Sequence, residues 1–446
     1  MPFSPIDSQI FKYQFSDPEL ATLFTDERYV AYLVEVEVAL AVAQAKLGVI
    51  PQTACDAIVA ASKTFAVNFE RLATITEKTG VPTIDLVAQL RAHVGGEAAS
   101  FVHWGATTQD IMDTALVLQL RAAIELIEGR LTAVINNLAT LADQHRQTLM
   151  AGRTHSQQAL PVPFGLKAAG WLAPLLRHRE RLAELKSRLF VVQFGGAAGT
   201  LASLGDEGLA VQAGLAAELG LGVPLMPWHT QRDAVAEFAG WLSLVSGSLA
   251  KMGQDLILLA QSEIGEIRET ADLSRGGSST MPQKSNPIIS ELIIAAARTN
   301  ASLLASMHQA MVQEQERATH GWQVEWLSLP QMVMLTTVAL NKAAFLSQNL
   351  LVKKERMAAN VAAANGLMLA EAISFALTET MGRTEAKKVV REAVQIALAE
   401  NRHLADVVRE NTGANLDWKR LKDEKAYFGV AEQFIERVLA AVDDKA

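Results

Sequence analysis

The stretch Gly276-Gly277-Ser278-Ser279-Thr280-Met281-Pro282-Gln283-Lys284-Ser285-Asn286-Pro287 lies between two long helical patterns. Two glycines relax backbone sterics just ahead of Ser278. Pro282 and Pro287 exclude a regular helix and a central strand inside the stretch. It is therefore read as a loop that presents Ser278, Lys284 and Asn286, with Pro287 well placed as the first residue of the next helix. A helix starting there would point free N–H groups and the positive end of its dipole back at the loop. A Gly/Ser linker is the plain alternative, but linkers rarely carry a cation and an amide at fixed offsets between two prolines.

The chain around this loop has 446 residues, too many for one ordinary core, so two or three domains are expected. Half of it is hydrophobic and its mean hydropathy is +0.16. No stretch of about twenty residues runs without a charged or strongly polar interruption, as a membrane helix would require. Extra burial between subunits accounts for the apolar excess, because obligate interfaces resemble domain cores. Met1 to Phe15 shows no basic region followed by an apolar one, so no secretory leader is expected. A single cysteine, Cys55, excludes an internal disulfide and fits a reducing cytosol. The net charge of −8 argues against a broad nucleic-acid footprint. An acidic protein with an anionic substrate must gather positive charge locally, at its site.

Proline placement parses the rest. None occurs from Thr83 to Leu160, from Trp228 to Met281, or from Gln331 to the end. Those spans suit long helices, since an interior proline costs roughly 3 kcal/mol. Helices are expected at Asp26–Gly48, Asp56–Phe65, Thr83–Val94, Asp110–His145, Phe164–Phe190 with a kink at Pro174, Gly208–Gly220, Asp233–Glu269 as the longest, Ile288–Met311 and Leu329–Leu351. Lys354 to Ala446 divides into shorter helices broken near Gly366, Gly382 and Gly413. Helices of about 30 residues span about 45 Å and must lie side by side in a bundle. The expectation is an all-α chain of three domains, 1–112, 113–351 as a long central helical bundle, and 352–446.

Two further stretches read as loops that carry chemistry. In His103-Trp104-Gly105-Ala106-Thr107-Thr108-Gln109-Asp110, Gly105 breaks the chain and Thr108 or Asp110 can cap the following helix. Donors beside a helix N-terminus make a natural carboxylate-binding corner; a plain helix cap without function is the alternative. In Gly152-Arg153-Thr154-His155-Ser156-Gln157-Gln158, His155 sits among polar residues with no apolar period, which suits a functional histidine as well as a structural one. The nine histidines show no metal-ligand spacing, and one cysteine cannot build a thiolate site, so no metal is expected. Gly195 to Gly199 lacks the Gly-x-Gly-x-x-Gly pattern, and no Gly-Lys-Ser/Thr occurs, so no nucleotide cofactor is expected. Ser278 has no Gly-x-Ser-x-Gly elbow around it, which argues against an acyl nucleophile.

The loop from Gly277 to Pro287 closely resembles the signature of the fumarase/aspartase superfamily, Gly-Ser-Ser-x-Met-Pro-x-Lys-x-Asn-Pro, at every fixed position. His103–Asp110 resembles its first region, with Thr108 where Ser is commoner, and Gly152–Gln157 its second, Gly-x-Thr-His-x-Gln. Weaker likenesses are Gln231-Arg232-Asp233 and Glu314–Arg317, and the opening helix ending Leu47–Pro51 also matches. Adenylosuccinate lyases carry a histidine before the aspartate of a region matching Val81–Asp85, where this chain has Ile84. The bacterial 3-carboxy-cis,cis-muconate cycloisomerases resemble the chain further, in Gly105–Asp110, Gln193–Leu201 and Pro227–Asp233, although some carry Trp where this chain has His155.

The resemblance implies an all-α, three-domain, cytoplasmic subunit in a homotetramer whose sites combine the three regions from different subunits, without cofactor or metal. It implies a small polycarboxylate substrate and interconversion of 3-carboxy-cis,cis-muconate and 4-carboxymuconolactone, in the protocatechuate branch of aromatic degradation. A fumarate-releasing lyase such as adenylosuccinate lyase, or a non-enzymatic crystallin-like protein, are the alternatives. The implied base at carbon is Ser278, which needs positive charge and N–H donors: Lys284 and the helix beginning at Pro287 are the expected source. The implied cradle for the aci-carboxylate is the loop at Ser279 and Thr280, with Lys284 and Asn286. His155 is assigned as the acid or as the group orienting the leaving carboxylate. Candidates for the remaining carboxylates are His103, Thr107, Thr108, Arg153, Thr154, Gln157 and Arg317.

Overall fold

The computed structural model describes residues 4–272, 274–317 and 319–443. The outermost residues of the expected first and third domains, 1–3 and 444–446, lie outside the described residues. After short helical turns, the helices are α1 (Asp26–Lys46), α2 (Gln52–Ser62), α3 (Phe69–Thr79), α4 (Thr83–Val94) and α5 (Thr108–Gln144). A hairpin follows, β1 (Leu149–Thr154) and β2 (Gln157–Pro163), then α6 (Phe164–Leu189), α7 (Gly208–Leu219) and α8 (Asp233–Ala260). Next come β3 (Ile267–Arg268), α9 (Ile288–Ala310), α10 (Gly321–Asn349), β4 (Leu351–Val352) and α11 (Lys354–Ala362). The last helices are α12 (Ala370–Met381), α13 (Arg383–Glu400), α14 (Leu404–Thr412) and α15 (Ala431–Asp443). The all-α expectation holds: among the described residues, β1 pairs only with β2, and β3 only with β4.

Several boundaries differ from the sequence expectation. The helix from Asp233 ends at Ala260, not Glu269. Gly265, at φ +60°, turns the chain into β3. The longest helix is α5, at 37 residues. The stretch from Phe69 to Thr79 forms a helix that no expectation covered, capped by the Asn68 side chain at its start and by left-handed Gly80 at its end. Pro330 lies inside α10, which begins at Gly321. Its missing N–H frees the carbonyl of Trp326, a residue 36% exposed, where water can replace the lost bond. Pro174 inside α6 frees the carbonyl of Gly170 in the same way, again on an exposed residue.

The chain divides into two compact units. The first comprises 1–129, 178–246 and 296–338. Its core packs Leu33, Val36 and Leu40 of α1 against Ile111, Ala115 and Leu118 of α5, and against Val211 and Leu215 of α7. Their near-helical spacing makes each face an apolar stripe. Asn300 of α9 donates to Ser246 of α8 at 3.2 Å and to Thr336 of α10 at 2.9 Å, so three long helices share one buried amide.

The second unit comprises 130–177, 247–295 and 339–446. Here Asn137 of α5 donates to the Ala344 carbonyl of α10. Leu369, Ile373, Leu377, Val390, Leu404 and Val408 form a separate core for the C-terminal helices.

By length and composition alone, α9 and α10 are apolar enough to cross a membrane, and the bent pair Lys354–Ala362 with Leu367–Met381 passes when taken together. Both long helices carry charges along their length, Glu291 and Arg298 in α9, Glu325 and Lys342 in α10. The apolar stretch of α10 is two-thirds buried inside the protein, whereas that of α9 is only one-third buried.

Candidate active site

In the second unit, residues 276–286 form a loop closed at its neck. The Asn286 N–H donates to the Gly276 carbonyl at 2.8 Å, and Gly277 pairs with Ser285 in an antiparallel bridge. Gly276 has φ +68°, and a Cβ there would stand 2.2 Å from the Asn286 carbonyl oxygen. Only glycine fits, for both reasons. Ser278 and Lys284 are the next residues inside the neck on its two sides. The N–H groups of Thr280 and Met281 donate to Ser278 Oγ at 3.3 and 3.2 Å. Ser278 thus carries two oriented donors on its oxygen, which favour a developing alkoxide. Ser279, Thr280 and Lys284 are exposed, and Asn286 is half-buried.

The helix dipole does not serve the loop as expected. α9 begins at Ile288, one residue after Pro287. Its first free N–H groups belong to Glu269: Oε2 accepts Ile289 N at 3.1 Å, and Oε1 accepts Ser290 N and Ser290 Oγ, each at 2.7 Å. A buried carboxylate already satisfies that positive end. Positive charge at the loop therefore comes from side chains, Lys284 within it and Arg268, whose Nε donates to Ser285 Oγ at 3.1 Å on its neck.

His155 lies not in a loop but at the tip of the β1–β2 hairpin, with Arg153 and Thr154 on β1 and Gln157 on β2. His155 and Ser156 form the two-residue turn, at φ +48° and +63°. Turns of this kind favour Asn-Gly, and two consecutive side chains in the left-handed region are strained. The His155 side chain is exposed at this tip. Arg153 points elsewhere. Its guanidinium forks onto Glu266 at 2.9 and 2.6 Å, and Glu266 is fully buried. His155 and Ser278 share no hydrogen bond among the described residues.

In the first unit, Asp110 holds Thr107 and, through the loop at Gly196, Arg317, while Thr108 opens α5. Asp110 Oδ2 accepts Thr107 N and Gly196 N, at 3.0 and 2.9 Å. Its Oδ1 accepts Gly195 N at 2.9 Å and His229 Nε2 at 2.7 Å. The back-bond to Thr107 is half of a capping box at the start of α5. Glycine 195 is required, because a Cβ there would lie 2.6 Å from Pro227. Arg317 donates to the Ala197 carbonyl at 3.0 Å and reaches that of Gly196 at 3.4 Å. The three stretches 105–110, 193–201 and 227–233 therefore converge on one buried carboxylate.

His103, also at positive φ, sets Nδ1 2.6 Å from Glu37 Oε1. Burial disfavours its charge, but the Glu37 carboxylate and the bond to it prevail, so the imidazole's pKa lies above its ordinary value. Deeper in the unit, Arg232 is fully buried between Asp113 and Glu325 and lies over the Trp228 ring. Burial pushes the Glu325 carboxyl up, and Arg232 offsets this only in part.

Sequence reasoning missed Asp110 as a hub, and His229, Glu266 and Glu269. Apart from the local cap of Asp110 on Thr107, the partners that bring these residues together lie 20 to 119 residues away along the chain, where no local pattern betrays them. Among the described residues, no group of three or more His, Cys, Asp or Glu is arranged to hold a metal ion. A cavity of about 690 Å³ along α1 and one of about 570 Å³ beside Trp322 and Glu325 contain none of Ser278, His155 and Lys284. The signature loop instead stands open on this chain.

Residues 12–299 match the family described as lyase, and residues 366–438 match the family described as adenylosuccinate lyase C-terminus. The chain is 44% identical over 443 residues to a 3-carboxy-cis,cis-muconate cycloisomerase of Pseudomonas aeruginosa, covering 97% of this chain and 96% of that one. It is 40% identical to trans-aconitate decarboxylase 1 of Mycosarcoma maydis, covering 96% and 87%. The crystal structure of 3-carboxy-cis,cis-muconate lactonizing enzyme from Pseudomonas putida superposes with a TM-score of 0.93 at 41% identity, over 98% of this chain and 99% of that chain. With its signature loop, its helical architecture and these relatives in agreement, the chain belongs to the lyase family of the fumarase/aspartase superfamily.

Proposed function

We propose that this protein is a 3-carboxy-cis,cis-muconate cycloisomerase, and that Ser278 is the group that moves the proton on carbon. The observation that carries the reading is the Ser278 oxygen, which receives two loop N–H groups just beyond the Gly277–Ser285 neck, in the loop that also holds Lys284. In the lactonising direction, an oxygen of one substrate carboxylate bonds to one carbon of a double bond. The neighbouring carbon becomes part of an aci-carboxylate, and the Ser278 hydroxyl gives it a proton. One carboxylate charge disappears into the ester, so each turnover takes up one proton from solution. In reverse, the serine alkoxide removes that proton and the ring carboxylate leaves.

Lys284, Asn286 and the loop at Ser279 and Thr280 supply the cradle for the aci-carboxylate. Each such donor supports a factor of about 10²–10³ in rate. His155 orients the leaving carboxylate or protonates it; a carboxylate is a weak base and needs little help. His103, Thr107, Thr108, Thr154, Gln157 and Arg317 are proposed to receive the remaining carboxylates. Arg153, expected among the substrate-binding groups, is taken up by the Glu266 fork and serves to hold the hairpin stem.

The reading includes a three-domain division at 112 and 352, a cytoplasmic homotetramer with shared sites, and chemistry without metal or cofactor. The one-third burial of α9's apolar stretch supports an assembly that covers it.

His155 supports a second reading, a fumarate-releasing lyase, because amine release needs an acid more than lactone opening does. Assay of the purified protein with 3-carboxy-cis,cis-muconate, adenylosuccinate and argininosuccinate separates the two. Loss of the conjugated diene absorbance with the first compound alone is expected. Fumarate formation from either succinyl compound, with the muconate untouched, would overturn the proposal.

A further inference from the structure

The hairpin that presents His155 and the loop that presents Ser278 are anchored on the same four residues, Glu266-Ile267-Arg268-Glu269. Glu266 is fully buried and takes the Arg153 fork from the hairpin stem at 2.9 and 2.6 Å. Asn360 donates to Glu266 Oε1 at 2.8 Å, and the backbone of Glu266 is fixed by Leu259 and Lys353. Three residues on, Glu269 takes two N–H groups and the hydroxyl at the start of α9, where the loop ends. Between them, Arg268 Nε donates to Ser285 Oγ at 3.1 Å, on the neck of the loop. β3 itself is pinned by β4. Both carboxylates are buried, so their oxygens depend on these partners for hydrogen bonds.

We propose that Glu266 and Glu269 are positioning residues for the reaction, Glu266 for the hairpin carrying His155 and Glu269 for the loop carrying Ser278. The inference rests on the roles given above to those two residues. Neither glutamate touches substrate. Each fixes the backbone from which a reacting side chain projects, and the short stiff segment between them sets both placements at once. A carboxylate is required at each position. At 266 it must match a guanidinium with two oxygens. At 269 an amide NH₂ would confront a backbone N–H with a second donor, leaving both unsatisfied.

The test combines turnover with hydrogen exchange resolved by segment, the second of which needs no substrate. Glu266→Gln should raise amide exchange within 149–163 and leave 276–287 as in the wild type. Glu269→Gln should do the reverse. Each should lower kcat at least tenfold and change KM less than threefold. Should either glutamine variant fail to fold, Arg153→Lys and Ser290→Ala remove part of each anchor, and smaller changes confined to the same two segments are expected. Wild-type turnover in either glutamine variant would overturn the proposal. So would exchange that rises evenly along the chain in all the folded variants, which marks a purely structural role. A wild-type chain inactive on the muconate would overturn the proposed substrate, while the exchange pattern would still decide the anchoring.

Discussion

His229 Nε2 donates to Asp110 Oδ1 at 2.7 Å, and neither side chain is more than a few per cent exposed. This pair closes a ring of donors around Asp110 that fixes Gly195 and Gly196 and, through the Gly196 and Ala197 carbonyls, Arg317. Asp110→Asn keeps the shape but turns one acceptor into a donor. A loss of about 3 kcal/mol is expected in denaturant unfolding, with KM raised about tenfold and kcat changed less. His229→Gln retains a donor near the same point and should stay close to the wild type, whereas His229→Leu should match Asp110→Asn. Equal behaviour of the Gln and Leu variants would contradict this.

Gly276→Ala tests the neck of the signature loop. The added Cβ meets the Asn286 carbonyl oxygen at 2.2 Å, at a backbone angle that side chains avoid. The neck must open, which displaces Ser278 and the amides that serve it. A fall in kcat of about 10²-fold is expected, of the order of losing one oxyanion donor. The melting temperature should drop little, because the loop buries little apolar surface. A melting temperature that collapses in step with activity would assign the glycine to folding alone.

His145 gives the pH dependence of stability a definite sign. Burial, and then the charge of Lys354, lower its pKa from 6.5 to about 4. Its proton is therefore bound more readily in the unfolded chain. The stability it contributes is fully present above pH 6.5 and is lost as pH falls towards 4. Melting temperatures between pH 7 and pH 4 should decline less steeply in His145→Gln than in the wild type. Parallel declines would show that His145 does not carry the effect.

Arg232→Met leaves Asp113 and Glu325 buried without their cation. Breaking one side of such a cluster costs about 3–5 kcal/mol. Replacing all three, as Arg232→Met with Asp113→Asn and Glu325→Gln, should recover part of the loss, measured by urea unfolding. A triple variant less stable than Arg232→Met by the sum of the separate costs would argue that the charges do not compensate one another.

The long helices were legible because α5 and α9 keep apolar residues at helical spacing, with Gly or Pro near their ends. The signature loop was legible because its prolines and glycines forbid anything else. The hairpin was not. Leu149–Pro163 lacks alternation, and His155-Ser156 is not a usual hairpin turn. The end of α8 was hidden because the next proline after Ala260 is Pro282, and Gly265 acts only after a turn has begun. The claim of Glu269 on the α9 amides was invisible because a carboxylate some 20 residues upstream gives no local sign. That contact, not the sequence pattern, decides that the helix dipole is satisfied within the fold rather than by a substrate.

The measurement that bears most directly on the account is turnover of 3-carboxy-cis,cis-muconate, in both directions, by Ser278→Ala and His155→Ala. The account predicts that Ser278→Ala loses about 10²-fold or more in kcat each way, with KM largely kept, because one group moves the proton in both directions. His155→Ala should lose less, since a carboxylate departs without full protonation. Near-normal turnover in Ser278→Ala, with activity abolished in His155→Ala, would contradict the account and move the carbon proton to His155.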